Sequence, residues 1–99
     1  MMEVKKDTDD ETTIVSIIGE IDSTNAESFE LKLREAVDGE KKVVLDLADL
    51  EYISSAGLRI ILVMQKMLGG GDALTIVNPN EELMDIFKAT GFSKLFNLR

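Results

Sequence analysis

Two adjacent hydroxyls stand at the start of an apolar segment of this chain. In the stretch "EYISSAGLRI", Ser54 and Ser55 lie between a strand-like run and a helix-like run. One serine is enough to cap a helix, because its oxygen accepts a hydrogen bond from a first-turn N–H group. A hydroxyl at a helix N-terminus is also a favourable phosphate acceptor, since free N–H groups and the helix dipole stabilise the added oxyanion. The local chemistry therefore fits both a pair of capping residues and a phosphorylation site.

Few other residues of the chain suit catalysis or metal binding. The 99 residues include no Cys and no His, so neither a Ser–His–Asp relay nor the usual nitrogen and sulfur ligands of zinc can be assembled. Asp22 and Asp46 have no base, nucleophile or metal cluster beside them, which argues against an enzyme working through carboxylates. The stretch "LGGGDA" ends a helix and lacks the lysine of a phosphate-binding loop. We therefore expect a binding protein with no metal and no cofactor.

Charge and hydropathy restrict the surroundings and the partners of the chain. The net charge of −8 repels nucleic-acid backbones and anionic lipid surfaces and suits a partner with a basic face. Because the residues show neither a charged-then-apolar leader nor a long uncharged apolar run, we expect neither a secretion signal nor a transmembrane span. The absence of Cys fits a reducing compartment. We expect a cytoplasmic protein that binds neither nucleic acid nor membranes.

The predicted elements alternate along the chain. "EVKKDT" and the β-branched run "TTIVSIIGEI" predict an antiparallel hairpin, with the first strand at the edge of the sheet. "KKVVLDLADL" and "ALTIV" predict buried strands, and the first of these is expected to be covered on both faces. "STNAESFELKLREAVD" has apolar residues at helical spacing, and Thr24 and Glu27 have the form of a capping box. "NPNEELMDIFKATGF" predicts a further helix, with Asn80 as cap and Gly91 as stop; "SKLFNLR" fits a strand stub or a helical turn.

This order predicts a single α/β domain over residues 1–99. We expect a small mixed sheet of about four strands, mostly parallel, with an antiparallel N-terminal edge strand and a cover of three to four helices. In open α/β sheets, binding sites lie where strands end and helices begin. The two serines occupy such a junction.

The helix that follows the serines is apolar on nearly every side. Helical projection places Ile60, Ile61, Met64, Met67 and Leu68 toward the sheet, and Leu58, Leu62 and Val63 on the outer side beside Arg59 and Lys66. Such a helix is either packed beneath its neighbours or covered by a partner. Gly57 in its first turn fits close helix–sheet packing and close approach by another chain equally well.

The segment "KKVVLDLADLEYISSAGLRIIL" resembles the central part of STAS domains, specifically the stand-alone bacterial anti-sigma factor antagonists. Weaker similarity in "GEIDSTNAESFE", "ALTIVNPNEEL" and "FKATGFSKLFNL" extends the resemblance from Val4 to Leu98. The family loop usually reads Asp-Ser-Ser/Thr-Gly-Leu-Gly, and the serine after the Asp is phosphorylated. The resemblance places this acceptor at Ser55 and leaves Ser54, which replaces the Asp, as the structural hydroxyl and the less favoured acceptor. Arg59 replaces the second glycine, and Ala56 replaces the second hydroxyl.

The resemblance also implies a function and a set of partners. The unmodified domain would bind an anti-sigma factor serine kinase and release the sigma factor; phosphorylation of Ser55 with the kinase's ATP and Mg²⁺ would reverse this, and a PP2C-type phosphatase would reset it. Asp22 and Ser23, in the loop after the second strand, are expected on the same sheet edge, at the border of the docking surface. They also suit an ordinary turn, which is the commoner role of such residues. The residues expected to contact the partner are Asp22, Ser23, Ser54, Gly57, Leu58, Arg59 and Leu62.

A second interpretation is a constitutive STAS interaction or adaptor subunit of another signalling or transport complex. The exchange of the family Asp for Ser54 favours it, because the negative charge beside the acceptor is lost. Transfer of phosphate to Ser55 distinguishes the two.

Overall fold

The computed structural model describes all 99 residues, and it confirms the predicted α/β class with three helices and an antiparallel N-terminal edge strand. Short 3-10 turns precede the fifth and sixth strands. No helix has the length and apolar character needed to cross a membrane. The strands are β1 Met2–Asp9, β2 Thr12–Ile21, β3 Val43–Asp46, β4 Leu50–Ile53, β5 Leu74–Val77 and β6 Asn97–Leu98, and the helices are α1 Ala26–Val37, α2 Ser55–Met67 and α3 Glu81–Thr90.

The sheet has six strands rather than about four, because two predicted segments are divided. The run after β3 turns at Ala48, whose N–H donates to the Asp46 carboxylate at 3.0 Å. The chain then forms β4, which pairs with the second half of β2, whereas β3 pairs with the first half. The C-terminal segment forms both a 3-10 turn and the short strand β6. The long strand β2 therefore holds two successive neighbours on one side.

One face of the sheet carries no helix. In the strand order β1-β2-β3-β5-β6, the connections through α1, α2 and α3 all move across the sheet in the same direction, toward β6. Because such crossovers are right-handed, all three helices lie on the same face of the sheet. Residues on the opposite face, such as Ile14, Val44 and Thr75, are accordingly only half-buried. The expectation that β3 is covered on both faces is wrong, because the strand order never reverses and no helix returns across the second face.

The core lies between the sheet and the three helices. Phe29 of α1, Ile61 of α2 and Phe87 of α3 are completely buried against alternate residues of the strands. At about 25 cal/mol per Å² of apolar surface, burial of this layer is the main stabilising contribution to the fold. The sheet side of the core is formed by Val15, Ile17, Ile21, Val43, Leu45, Leu50, Ile53, Leu74 and Ile76.

The residues that cap α2 and α3 are those that the sequence predicts, whereas the predicted cap of α1 is not formed. Asn80 caps α3 by accepting the Leu83 N–H at 2.7 Å, and Gly91 ends that helix with φ +81°. The capping box at the start of α1 is wrong: Asn25 precedes the helix, and the Thr24 hydroxyl donates to Asp22 instead of capping. Asp22, two residues before Thr24, accepts a hydrogen bond from this hydroxyl, so the hydroxyl does not cap the helix.

Candidate functional site

The entrances of α1 and α2 lie side by side at the carboxyl edge of the sheet. Strands β2 and β4 run parallel with Ile21 opposite Ile53. The Ser54 N–H extends this pairing by donating to the Ile21 carbonyl at 2.8 Å. Asp22 and Ser23 therefore share one sheet edge with Ser54 and Ser55, as the sequence predicts. Contact of any of these residues with a partner stays a prediction.

Ser54 is the N-terminal cap of α2. Its backbone is extended, with φ −79° and ψ 167°, and its Oγ accepts the Gly57 N–H at 3.3 Å. Its carbonyl accepts the Leu58 N–H at 3.0 Å. The half-buried hydroxyl of Ser54 therefore has a structural role, because it caps α2.

Ser55 is the first residue of α2, and its side chain is exposed. Its hydroxyl forms no hydrogen bond with another residue of the chain, in contrast to that of Ser54. The first turn of α2 contains no acidic residue. Because the first N–H groups of a helix lack intrahelical partners and carry partial positive charge, this position favours an added oxyanion.

Gly57 lets α2 lie directly on the strands. It is buried, and a Cβ added there would lie 2.7 Å from Cγ1 of Ile53 and 2.9 Å from Cγ2 of Ile21. Of the two roles that the sequence leaves open for Gly57, the structure shows close helix–sheet packing. Leu58 is completely buried, so its predicted place on the outer side of the helix is wrong. This face of the helix points inward at Gly57 and Leu58, and contact of either residue with a partner stays a prediction.

The outer side of α2 begins at Arg59, which is exposed and forms neither a salt bridge nor a side-chain hydrogen bond. Leu62 is half-buried and packs against the core, and Val63 is 40% exposed. Met67 is 57% exposed, so its predicted position against the sheet is wrong. We call the apolar residues that follow Arg59 on this side, Leu62, Val63 and Met67, the outer strip of α2.

The loop before α1 is held by its own side chains. The Asp22 carboxylate accepts the Thr24 hydroxyl at 2.5 Å and the Thr24 N–H at 2.8 Å. These bonds, with the hydroxyl contributing most, lower the pKa of Asp22 below the ordinary value of an aspartate. Asn25 donates to the Glu20 carbonyl and accepts the Asp22 N–H. The sequence reading missed this role of Asn25, although an Asp-x-x-Asn spacing after a strand is a recognisable turn signal.

The site has no enclosed cavity. None of the four surface depressions of the molecule is lined by Ser54, Ser55 or Arg59. No group of three acidic side chains is close enough together to hold a metal ion. The exposed hydroxyl, Arg59 and the outer strip of α2 therefore form an open surface, which suits a protein partner better than a small ligand.

Comparison with known proteins gives consistent matches over nearly the whole chain. BtrV of Bordetella bronchiseptica, provisionally named an anti-sigma factor antagonist, is 38% identical over 97 residues, which cover 96% of this chain and 84% of BtrV. The crystal structure of an anti-sigma factor antagonist from Mycobacterium paratuberculosis superimposes with a TM-score of 0.88 at 27% identity, covering 99% of this chain and 85% of that one.

A more distant structure shares the fold. Unphosphorylated SpoIIAA, an anti-sigma factor antagonist and a Bacillus cell-fate determinant, gives a TM-score of 0.74 at 17% identity, covering 100% of this chain and 88% of SpoIIAA. The sequence profile of the STAS domain matches residues 3–99. On the strength of this match and of the identity to BtrV, the chain belongs to the STAS domain family.

Proposed function

We propose that this chain is an anti-sigma factor antagonist that is switched by phosphorylation of Ser55. The exposed, unbonded hydroxyl of Ser55 at the first residue of α2 is the observation that carries the proposal. The identity to BtrV supports the regulatory role, because that relative carries the name of an anti-sigma factor antagonist. The chain acts in this proposal as a cytoplasmic binding protein and not as an enzyme.

In the unmodified state, the surface around Ser55 docks on an anti-sigma factor serine kinase. Arg59 offers a cation at this surface, and the outer strip of α2 offers apolar area beside it. Asp22 and Ser23 border the docking surface on the side of β2. Occupation of the kinase by this chain excludes the sigma factor, which is thereby released.

Phosphorylation ends this interaction. The Ser55 Oγ attacks the γ-phosphorus of the kinase's Mg²⁺-bound ATP; the new O–P bond forms as the bond to ADP breaks, and the hydroxyl proton passes to a base of the kinase. The product carries about 1.5 to 2 additional negative charges. Burial of this charge in an interface shaped for a neutral hydroxyl weakens the complex. Hydrolysis of the phosphoserine by a PP2C-type phosphatase restores the first state.

The test is incubation of the purified chain with its anti-sigma factor kinase and ATP, followed by mass spectrometry of the serines. We expect one phosphate on Ser55 in the unaltered chain and none in Ser55→Ala. Ser23→Ala is the matched control, because Ser23 is also exposed, lies on the same sheet edge and forms no side-chain hydrogen bond. Modification of Ser23 or Ser54 in place of Ser55 would refute the assignment.

The constitutive adaptor remains the second candidate function. It is favoured by the use of Ser54 as a neutral cap where the family pattern has a charged aspartate. An adaptor keeps its affinity for the partner after incubation with ATP and shows no phosphate on any serine. A switched antagonist loses affinity in proportion to the phosphate on Ser55.

A further inference from the structure

Arg59 lies one helical turn after Ser55 on α2. Residues four apart on a helix lie on one face with their Cβ atoms about 5 to 6 Å apart, within reach of an arginine side chain. Arg59 is exposed and forms no salt bridge, whereas Arg34 of α1 pairs with Glu30 at 2.9 Å. The guanidinium of Arg59, which is the nearest one to the Ser55 hydroxyl along the helix, therefore has no ion-pair partner in the chain.

The surrounding edge of the sheet is strongly acidic. The three segments 22–27, 46–59 and 78–85 follow the carboxyl ends of β2, β3 and β5, and Arg59 is the single Lys or Arg in them. A phosphate on Ser55 would thus enter a negative region that offers one cation. The same segments contain eight acidic residues: Asp22, Glu27, Asp46, Asp49, Glu51, Glu81, Glu82 and Asp85.

We infer that Arg59 binds the phosphate of phosphorylated Ser55 within the same chain. The inference rests on the proposed function only in taking Ser55 as the modified residue. An anion four residues before a cation is the favourable order on a helix. The planar guanidinium donates two parallel hydrogen bonds to phosphate oxygens, a geometry that lysine cannot provide.

This pairing gives the switch a second component. Phosphorylation adds negative charge at position 55, and it also withdraws the Arg59 guanidinium from the surface that a partner contacts. A partner that recognises Arg59 through an acidic group loses that contact in the same step. Arg59 is thus a phosphate-binding residue in one state and a docking residue in the other.

The test requires no kinase, because phosphoserine can be incorporated at position 55 during translation. The second pKa of the phosphate is measured by phosphorus NMR titration in the otherwise unaltered chain, in Arg59→Gln and in Lys66→Gln. Lys66 is the matched control, since it is an exposed cation at the far end of the same helix. We expect the pKa in Arg59→Gln to exceed that in the unaltered chain by about 0.3 of a pH unit.

Lys66→Gln should leave the pKa within error of the unaltered value, and 1 M salt should reduce the effect of Arg59→Gln. Equal pKa values with and without Arg59, or an equal rise in Lys66→Gln, would overturn the inference. Binding of the anti-sigma factor kinase separates this outcome from the proposed function. If the phosphorylated chain forms the Ser55 phosphate–Arg59 pair but still binds the kinase tightly, the switch is refuted and the pairing stands. If the phosphorylated chain binds the kinase weakly but does not form the pair, the pairing is refuted and the switch stands.

Discussion

The entrances of α1 and α2 are neighbours at one sheet edge, but they use their polar side chains differently. Before α1, the Asp22 carboxylate and the Asn25 side chain are both engaged in holding the turn. Before α2, the Ser54 hydroxyl caps the helix, and the Ser55 hydroxyl is left free. Ser23 is also free, but it lies in the turn and outside α1.

The side chains of Asp22, Asn25 and Ser54 hold the sheet edge by hydrogen bonds, whereas Ser55 can be modified without breaking any of these bonds. A phosphate on Ser55 displaces no existing hydrogen bond, whereas one on Ser54 would be added to the half-buried oxygen that accepts the Gly57 N–H. Free N–H groups of the first turn stabilise an anion at Ser55, which lies inside α2, whereas Ser23 lies outside α1. The entrance of α2 is thus the better place for a reversible modification.

The largest effect is expected from Gly57→Ala, which would lift α2 from the strands beneath it. The added methyl would lie within 3 Å of side-chain carbons of Ile53 and Ile21. Overpacking costs about 1 to 3 kcal/mol. Because the added Cβ would lie under 3 Å from two side-chain carbons, we expect a cost in the upper part of this range, above the gain of about 1 kcal/mol in helix propensity. Urea unfolding should show a net loss of stability. The loss should shrink in an Ile53→Ala background, and a stabilised Gly57→Ala chain would contradict the packing role.

A smaller effect separates the two serines. Ser54→Ala removes the cap of α2 and should lower the free energy of unfolding by about 1 kcal/mol. Ser55→Ala removes an exposed hydroxyl without a partner and should change it by less than about 0.5 kcal/mol. Thermal and urea unfolding of both variants measure the difference. A larger loss in Ser55→Ala would mean that the roles of the two serines are reversed.

The smallest effect concerns the loop before α1. Because the hydrogen bonds from Thr24 lower the pKa of Asp22 in the folded chain, Asp22 stabilises the fold above its unfolded pKa of about 3.9. This contribution is lost as the pH falls through the lower, folded pKa. Thr24→Val removes the hydroxyl donor and should raise the pKa of Asp22 toward the ordinary value in an NMR titration. Ser23→Ala is the control and should leave it unchanged; an unchanged pKa in Thr24→Val would contradict the assigned cause.

Local signals in the sequence predicted much of the fold. The β-branched run of β2 has the bounds that the sequence indicates, and Asn80 and Gly91 delimit α3 as expected. Such features depend on a few neighbouring residues, so a single sequence contains them. The junction that carries Ser54 and Ser55 was predicted for the same reason.

Features that depend on distant contacts were not predicted. The division between β3 and β4 requires β2 to be long enough to pair with both strands, which no local pattern reveals. The burial of Leu58 follows from the approach of α2 to Ile21 and Ile53 at Gly57, a contact between three elements. The uncovered sheet face follows from strand order, and the predicted run of elements is compatible with several orders.

The hydrogen bond between Ser54 and Ile21 ties the backbone before Ser55, the proposed acceptor, to β2, the longest strand of the sheet. A hydroxyl mounted on such a rigid frame can gain or lose a phosphate without any repacking of the interior. The two regulatory forms would then share one shape and differ in surface potential. Selectivity among several kinases could accordingly evolve through exchanges of surface charge, with the buried layer left intact.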